Sequence, residues 1–152
     1  NKWGQIQWCT WWNYRKVIRI MISIELQEKL YALLSILSYP VYDDVPKNAK
    51  CPYIKLGANR GNDNSNKTNL AYKDYQYIDV FSEYRGKKEV MQIMKQVNDL
   101  LQNKTITLEN EQAFLYLSSS EILEQKDAEG KYYHGILIYR IKTQMKGVIV
   151  WN

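Results

Sequence analysis

The chain has 152 residues, enough for one domain with a real core, and its 45% hydrophobic and 24% charged residues are ordinary for a globular fold. No apolar run approaches the roughly 18 residues of a spanning helix, which excludes one. The net charge of +5 would suit a nucleic-acid partner, but residues 1–20 hold four of the 21 basic residues and no acid. Residues 21–152 therefore carry only +1 and offer no polyanion footprint.

Residues 1–20 stand apart from the rest. They hold Trp3, Trp8, Trp11 and Trp12, and the first methionine, Met21, follows them. A secretory signal has its basic residues first; here most come last. Three readings are open. The segment is encoded upstream of a native start at Met21, since Arg15-Lys16-Val17 can be spelled by a purine-rich run like a ribosome-binding site. Alternatively it is a native arm that docks tryptophans on a neighbouring subunit, or a basic aromatic helix on a membrane surface. The expected division is an N-terminal extension over 1–20, a single domain over 21–146 and a tail over 147–152. Of the two cysteines, Cys9 and Cys51, neither has metal-binding or redox spacing, and two unpaired thiols are favoured over a bridge.

In chain order, Leu26, Leu30, Leu33, Leu34 and Leu37 form one helical stripe, predicting a helix over 23–38 with Ser23 as N-cap and Pro40 as terminator. Residues 41–51 read as a turn-rich connection, and 52–56 as a short strand opened by Pro52. The run 59–69, NRGNDNSNKTN, reads as an exposed loop at the tip of a long hairpin. Residues 70–84 are strand-like, with Tyr75, Tyr77 and Phe81 on one face and Ile78 and Val80 on the other, as in a strand covered on both sides. Val90, Ile93, Met94, Val97, Leu100 and Leu101 predict a second helix over 87–102, with Gly86 as N-cap. Then come a strand core over 113–117, a turn at 126–130 and a long strand over 131–143, with an extra short strand near Ile106-Thr107-Leu108. This pattern predicts an α+β fold, a two-layer arrangement of a mostly antiparallel sheet with two helices packed on it.

Catalytic constellations are not visible. The single histidine, His134, has no marked partner in its local sequence and reads as a packed or solvated strand residue. The cysteines and histidine do not make a zinc site, and Asn62-Asp63-Asn64 lacks the closing glutamate of a calcium loop. Asp79 and Glu83 share a strand face and read as a solvated edge. No nucleotide-binding loop appears, so no enzyme activity, cofactor or metal is expected. Tyr72, Tyr75, Tyr77, Tyr84, Tyr132, Tyr133 and Tyr139 fall on predicted strands. Base stacking is a possible use of such residues, but the basic-aromatic run that would go with it is missing, and core or subunit interface is favoured.

Three ordered segments carry a resemblance. They are Leu30-Tyr31-Ala32-Leu33-Leu34 leading through Val41-Tyr42 and Pro46 to residues 51–57, CPYIKLG; Tyr77-Ile78-Asp79-Val80-Phe81-Ser82 with Gly86 and the helix after it; and residues 129–137, EGKYYHGIL, ending in Tyr139-Arg140-Ile141-Lys142-Thr143. Across about 24–145 the chain resembles the small tail-component family of long-tailed bacteriophages, which is similar to tail-completion proteins and shares the architecture of the lambda tail terminator. The resemblance implies a virion protein in a ring, a hexamer, that caps the tail tube, ends its polymerisation and joins the tail to the head connector. The implied partners are further copies of the chain, the tail tube protein and a connector or stopper protein, with neither a membrane nor a specific nucleic acid. Its place is the virion neck, and the host cytoplasm during assembly. A head-completion or stopper protein, and a small nucleic-acid-binding protein, are the alternatives. Candidate partner contacts are Asn59, Arg60, Asn62, Asp63, Asn64, Lys67, Tyr72, Tyr75 and Trp151.

Overall fold

The computed structural model describes residues 24–63 and 72–145. The expected N-terminal extension, the start at Met21, the Ser23 cap, Cys9 and the C-terminal tail lie outside the described residues.

Helix α1 occupies residues 24–34. Leu26, Leu30 and Leu34 recur every four residues on one face and are buried in the core. The helix ends before the predicted residue 38. Beyond Leu34 the bonding tightens, with Ile36 N donating to Leu33 O at 3.2 Å and Leu37 N to Leu34 O at 3.1 Å. Ser35 Oγ also donates back to Tyr31 O at 2.7 Å, a local bond that competes with a regular helix. Pro40 is therefore not the terminator.

The chain continues as β1 (Val41–Tyr42), β2 (Tyr53–Asp63), β3 (Tyr72–Ser82), helix α2 (Lys88–Leu101), β4 (Thr105–Thr107), β5 (Glu111–Asp127) and β6 (Gly130–Met145). The six strands form one sheet in the order β1-β2-β3-β6-β5-β4. The β1–β2 pair is parallel, with Val41 opposite Ile54, and the other pairs are antiparallel. The α+β expectation fits this architecture, with a mixed sheet.

Several boundaries differ from those read in the sequence. The connection at 41–51 contains β1, a two-residue strand too short to leave a pattern. Residues 59–63 are not loop. They pair with 72–76, beyond a break in register between Leu56 and Asn59, because cross-strand pairing overrides the weak strand propensity of asparagine and glycine. The extra strand appears at Thr105–Thr107. Strand β5 runs ten residues past the expected core 113–117, zipped to β6 as far as Asp127 opposite Gly130. Gly130 takes a φ of +134°, leaving a tight turn in place of the expected 126–130.

Both helices lie on one face of the sheet. Val90, Ile93, Met94, Val97 and Leu101 of α2 join Leu26, Leu30 and Leu34 of α1 in one core with Ile54, Leu56, Ile78, Val80, Leu115, Leu137, Tyr139 and Ile141. At Gly135 the helix comes so close that a Cβ would stand 2.5 Å from Met94 Sδ. Gly86, expected to cap α2, instead holds a φ of +89° one residue earlier, and Lys87 occupies the cap without a side-chain bond. Ser82 Oγ supports the helix start by donating to Glu89 Oε1 at 2.8 Å, which places a carboxylate in the first turn.

Candidate interaction face

In β3 the alternation predicted from sequence holds: Ile78 and Val80 are fully buried, and Tyr75, Tyr77 and Phe81 lie on the opposite face. That face is not covered as the sequence suggested. Among the described residues both helices pack on the other side, and Tyr75, Tyr77 and Phe81 are half-buried.

The strand register fixes which side chains share the open face. At one end Tyr53, Phe81 and His134 stand opposite one another across β2, β3 and β6. Tyr53 stacks on Phe81 with ring centres 5.0 Å apart, and Phe81 stacks on His134 at 4.4 Å. Tyr42 meets Tyr53 edge-on at 5.6 Å.

Asp79 Oδ1 lies 2.8 Å from His134 Nε2, and these side chains are only 16% and 18% exposed. Asp79 fits there because Gly57, across β2, has no Cβ: one would clash with the carboxylate. Asp79 is thus not on a solvated edge. β3 is an interior strand, and the carboxylate ties it to β6. Glu83 lies beyond the strand, exposed. The pair bridges β3 and β6 across the sheet. Cys51, just before β2, carries a free thiol whose pKa is pushed up to about 11, first by burial and then by Glu83.

Toward the other end the face carries Tyr77, Ile138 and Ser119, and then the row Arg60, Tyr75, Arg140 and Tyr116. The guanidinium of Arg60 lies 5.1 Å from the centre of the Tyr77 ring, and Lys142 Nζ lies 5.9 Å from that of Tyr116. A hollow of about 740 Å³ is lined by Asn59, Arg60, Tyr75, Tyr77, Ser118, Ser119 and Ile138. A smaller one, about 390 Å³, lies beside Phe114, Tyr116 and Lys142.

Arg140 sits between the two hollows in the register, and its Nε is a buried donor with no hydrogen-bond partner among the described residues. An orphaned donor of this kind costs about 1–3 kcal/mol, and an acceptor brought by a partner would recover that cost. The face therefore combines flat aromatic area with a half-buried arginine whose Nε is buried, a common chemistry of protein interfaces.

Of the candidate contacts named from sequence, the structure brings Asn59, Arg60 and Tyr75 together around the larger hollow. Asn62, Asp63 and Tyr72 lie at the outer end of the β2–β3 hairpin, where Asp63 pairs with Tyr72. Asn64, Lys67 and Trp151 lie outside the described residues. Tyr139, by contrast, is core: it is fully buried and donates to Asn98 Oδ1 at 3.0 Å. Tyr84, expected on a strand, follows β3 and is exposed. Sequence reasoning missed Arg140. Its signal was a charge two residues after Ile138, in phase with the face that Tyr75 and Tyr77 occupy on β3.

The model of the family described as tail completion protein gp17 matches residues 29–144. The fold is similar to a chain of a solved structure titled "Virion of native gene transfer agent (GTA) particle". The TM-score is 0.58 and the identity 22%, over 75% of this chain and 83% of that one. None of the curated proteins matches the chain. The family match runs from within α1 to near the end of β6 and takes in the open face, and the chain belongs to the tail completion protein family.

Proposed function

We propose that this protein is a structural component of a phage virion that caps the tail tube, ends its polymerisation and joins the tail to the head connector. The family match over 29–144 carries this reading. The likeness to a chain of a gene transfer agent virion fits a place in such a particle. The functional unit is residues 21–146, several copies of which form a ring, a hexamer, in the virion neck after assembly in the host cytoplasm. The tail tube protein lies on one side of the ring and the connector or stopper on the other.

A ring needs two different, mutually complementary patches on each copy, and the open aromatic face supplies one. The β2–β3 hairpin, with Asn62 and Asp63 near its outer end, reaches a neighbouring ring, and removing residues 61–67 is expected to yield defective tails.

Electron microscopy of particles from a phage lacking the gene tests the whole reading. Overlong tails detached from full heads are the expected result. Normal-length free tails beside leaking heads would move the protein to the head side of the neck, and normal virions would overturn the proposal.

A further inference from the structure

Among the described residues six large apolar side chains stand exposed, and three belong to α1 or the turn after it: Ile24 at 56%, Tyr31 at 47% and Ile36 at 71%. Ile24, Glu28 and Tyr31 are spaced i, i+4, i+7, so they form one stripe. It points away from the stripe of Leu26, Leu30 and Leu34 that α1 buries. The outer stripe is thus apolar at both ends with a single charge, Glu28, in the middle. A fourth exposed apolar residue, Tyr116, lies on the open sheet face beside Arg140.

We propose that the outer stripe of α1 of one copy docks on the open sheet face of the next, with the Glu28 carboxylate on the Arg140 guanidinium. This rests on the ring proposed above and names the contact that builds it. Charge complementarity carries it. The receiving face presents Arg60, Arg140 and Lys142 among tyrosines, and Arg140 keeps a buried donor without a partner among the described residues. The stripe brings one carboxylate with apolar groups on either side. A carboxylate accepts the fork of an arginine, and aromatic faces take the apolar flanks.

The sizes also agree. Strands β2, β3, β6 and β5 together span about 14 Å at the usual spacing, and an eleven-residue helix is about 16 Å long. The two patches lie on opposite sides of the sheet, so one copy can receive a neighbour and be received by another, which is the contact that closes into a ring. Residues 1–20, with four basic residues and no acid, carry the wrong charge for this face.

Sedimentation and native mass spectrometry of the full chain test the pairing through charge reversal. Glu28→Arg and Arg140→Glu, each alone, are expected to weaken assembly tenfold or more and leave monomers. An equal mixture of the two is expected to regain the wild-type oligomer with the variants alternating, because every junction between unlike copies pairs a cation with a carboxylate and only junctions between like copies repel. The double variant is expected to regain the wild-type oligomer. If both single variants assemble like the wild type, the interface lies elsewhere and the ring survives without this contact. If the wild type itself stays monomeric at every concentration, the ring falls and the contact with it. Two folded, monomeric single variants that the double variant fails to rescue also overturn the pairing. Glu28 is exposed, so E28R keeps its fold. Should R140E misfold, a wild-type-sized E28R oligomer alone overturns the proposal.

Discussion

Tyr139 lies on β6 beneath α2, fully buried, with its hydroxyl donating to Asn98 Oδ1 at 3.0 Å. Tyr139→Phe removes that bond and little else. Asn98 is only half-buried, so water reaches the oxygen left behind, and the expected loss at pH 7 is about 1 kcal/mol. The pH dependence is the sharper test. Burial holds the phenol pKa well above its ordinary value of 10.0, so between the unfolded and folded values the unfolded chain gives up a proton that the folded chain keeps. The stabilisation is fully present below pH 10 and is lost as the pH climbs toward the folded value, by about 1.4 kcal/mol per pH unit. The phenylalanine variant has no such dependence. Its deficit of about 1 kcal/mol at pH 7 is therefore expected to shrink to about zero near pH 11. The other titrating groups are common to both proteins and cancel in the difference. Urea unfolding followed by circular dichroism at pH 7, 9, 10.5 and 11 measures that difference. A gap that stays constant across the series would refute the argument, because it would mean Tyr139 ionises as readily folded as unfolded.

Other predictions concern packing, the α2 start and the thiol. Gly135→Ala puts a methyl 2.5 Å from Met94 Sδ and 3.0 Å from Val90 Cγ2. The thioether can swing aside but the branched valine on the helix cannot, so a loss of about 1–3 kcal/mol is expected in thermal unfolding. Ser82→Ala breaks the bond to Glu89 and the one from Tyr84 N at 3.2 Å, for a loss of about 1–2 kcal/mol; an unchanged midpoint would show that Glu89 holds the helix start unaided. In a Cys9→Ser background, Cys51, with its pKa of about 11, is expected to react with iodoacetamide more slowly than a cysteine peptide at pH 8. Its rate should rise about tenfold per pH unit up to pH 11. Peptide-like reactivity at pH 8 would contradict the burial.

What the sequence disclosed and what it hid follow from the range of the interactions involved. The α2 stripe Val90, Ile93, Met94, Val97 and Leu101 is local, and its boundaries fall within a residue of those read from periodicity. The facing of β3 was equally plain, because Ile78 and Val80 alternate with tyrosines and Phe81. The second half of β5 was invisible: residues 118–127, SSSEILEQKD, have weak strand propensity, and β6 makes them a strand by pairing from far along the chain. The same holds at the open face. Asp79 and His134 are 55 residues apart and meet only because β3 and β6 are neighbours. Arg140 is an ordinary charge in a strand until Tyr75 and Tyr116 are set on either side of it. Family resemblance disclosed the class of protein, while the contacts that would specify its partners depend on register.

The outer half of β5 has a further consequence. From Ser118 onward its far edge has no described strand beside it, since β4 reaches only as far as Phe114. A free edge of this length invites another copy to add its own strand and keep adding. The chain resists this in three ways: a bulge between Leu117 and Ser119 that spoils the flat template, three successive serines with little to bury, and then Glu121, Glu124 and Lys126, exposed along the strand. Growth by edge addition would be open-ended, with no copy number at which it stops. A protein proposed to end a polymer must not seed one while it waits, at high concentration in the infected cell, for a tail to finish.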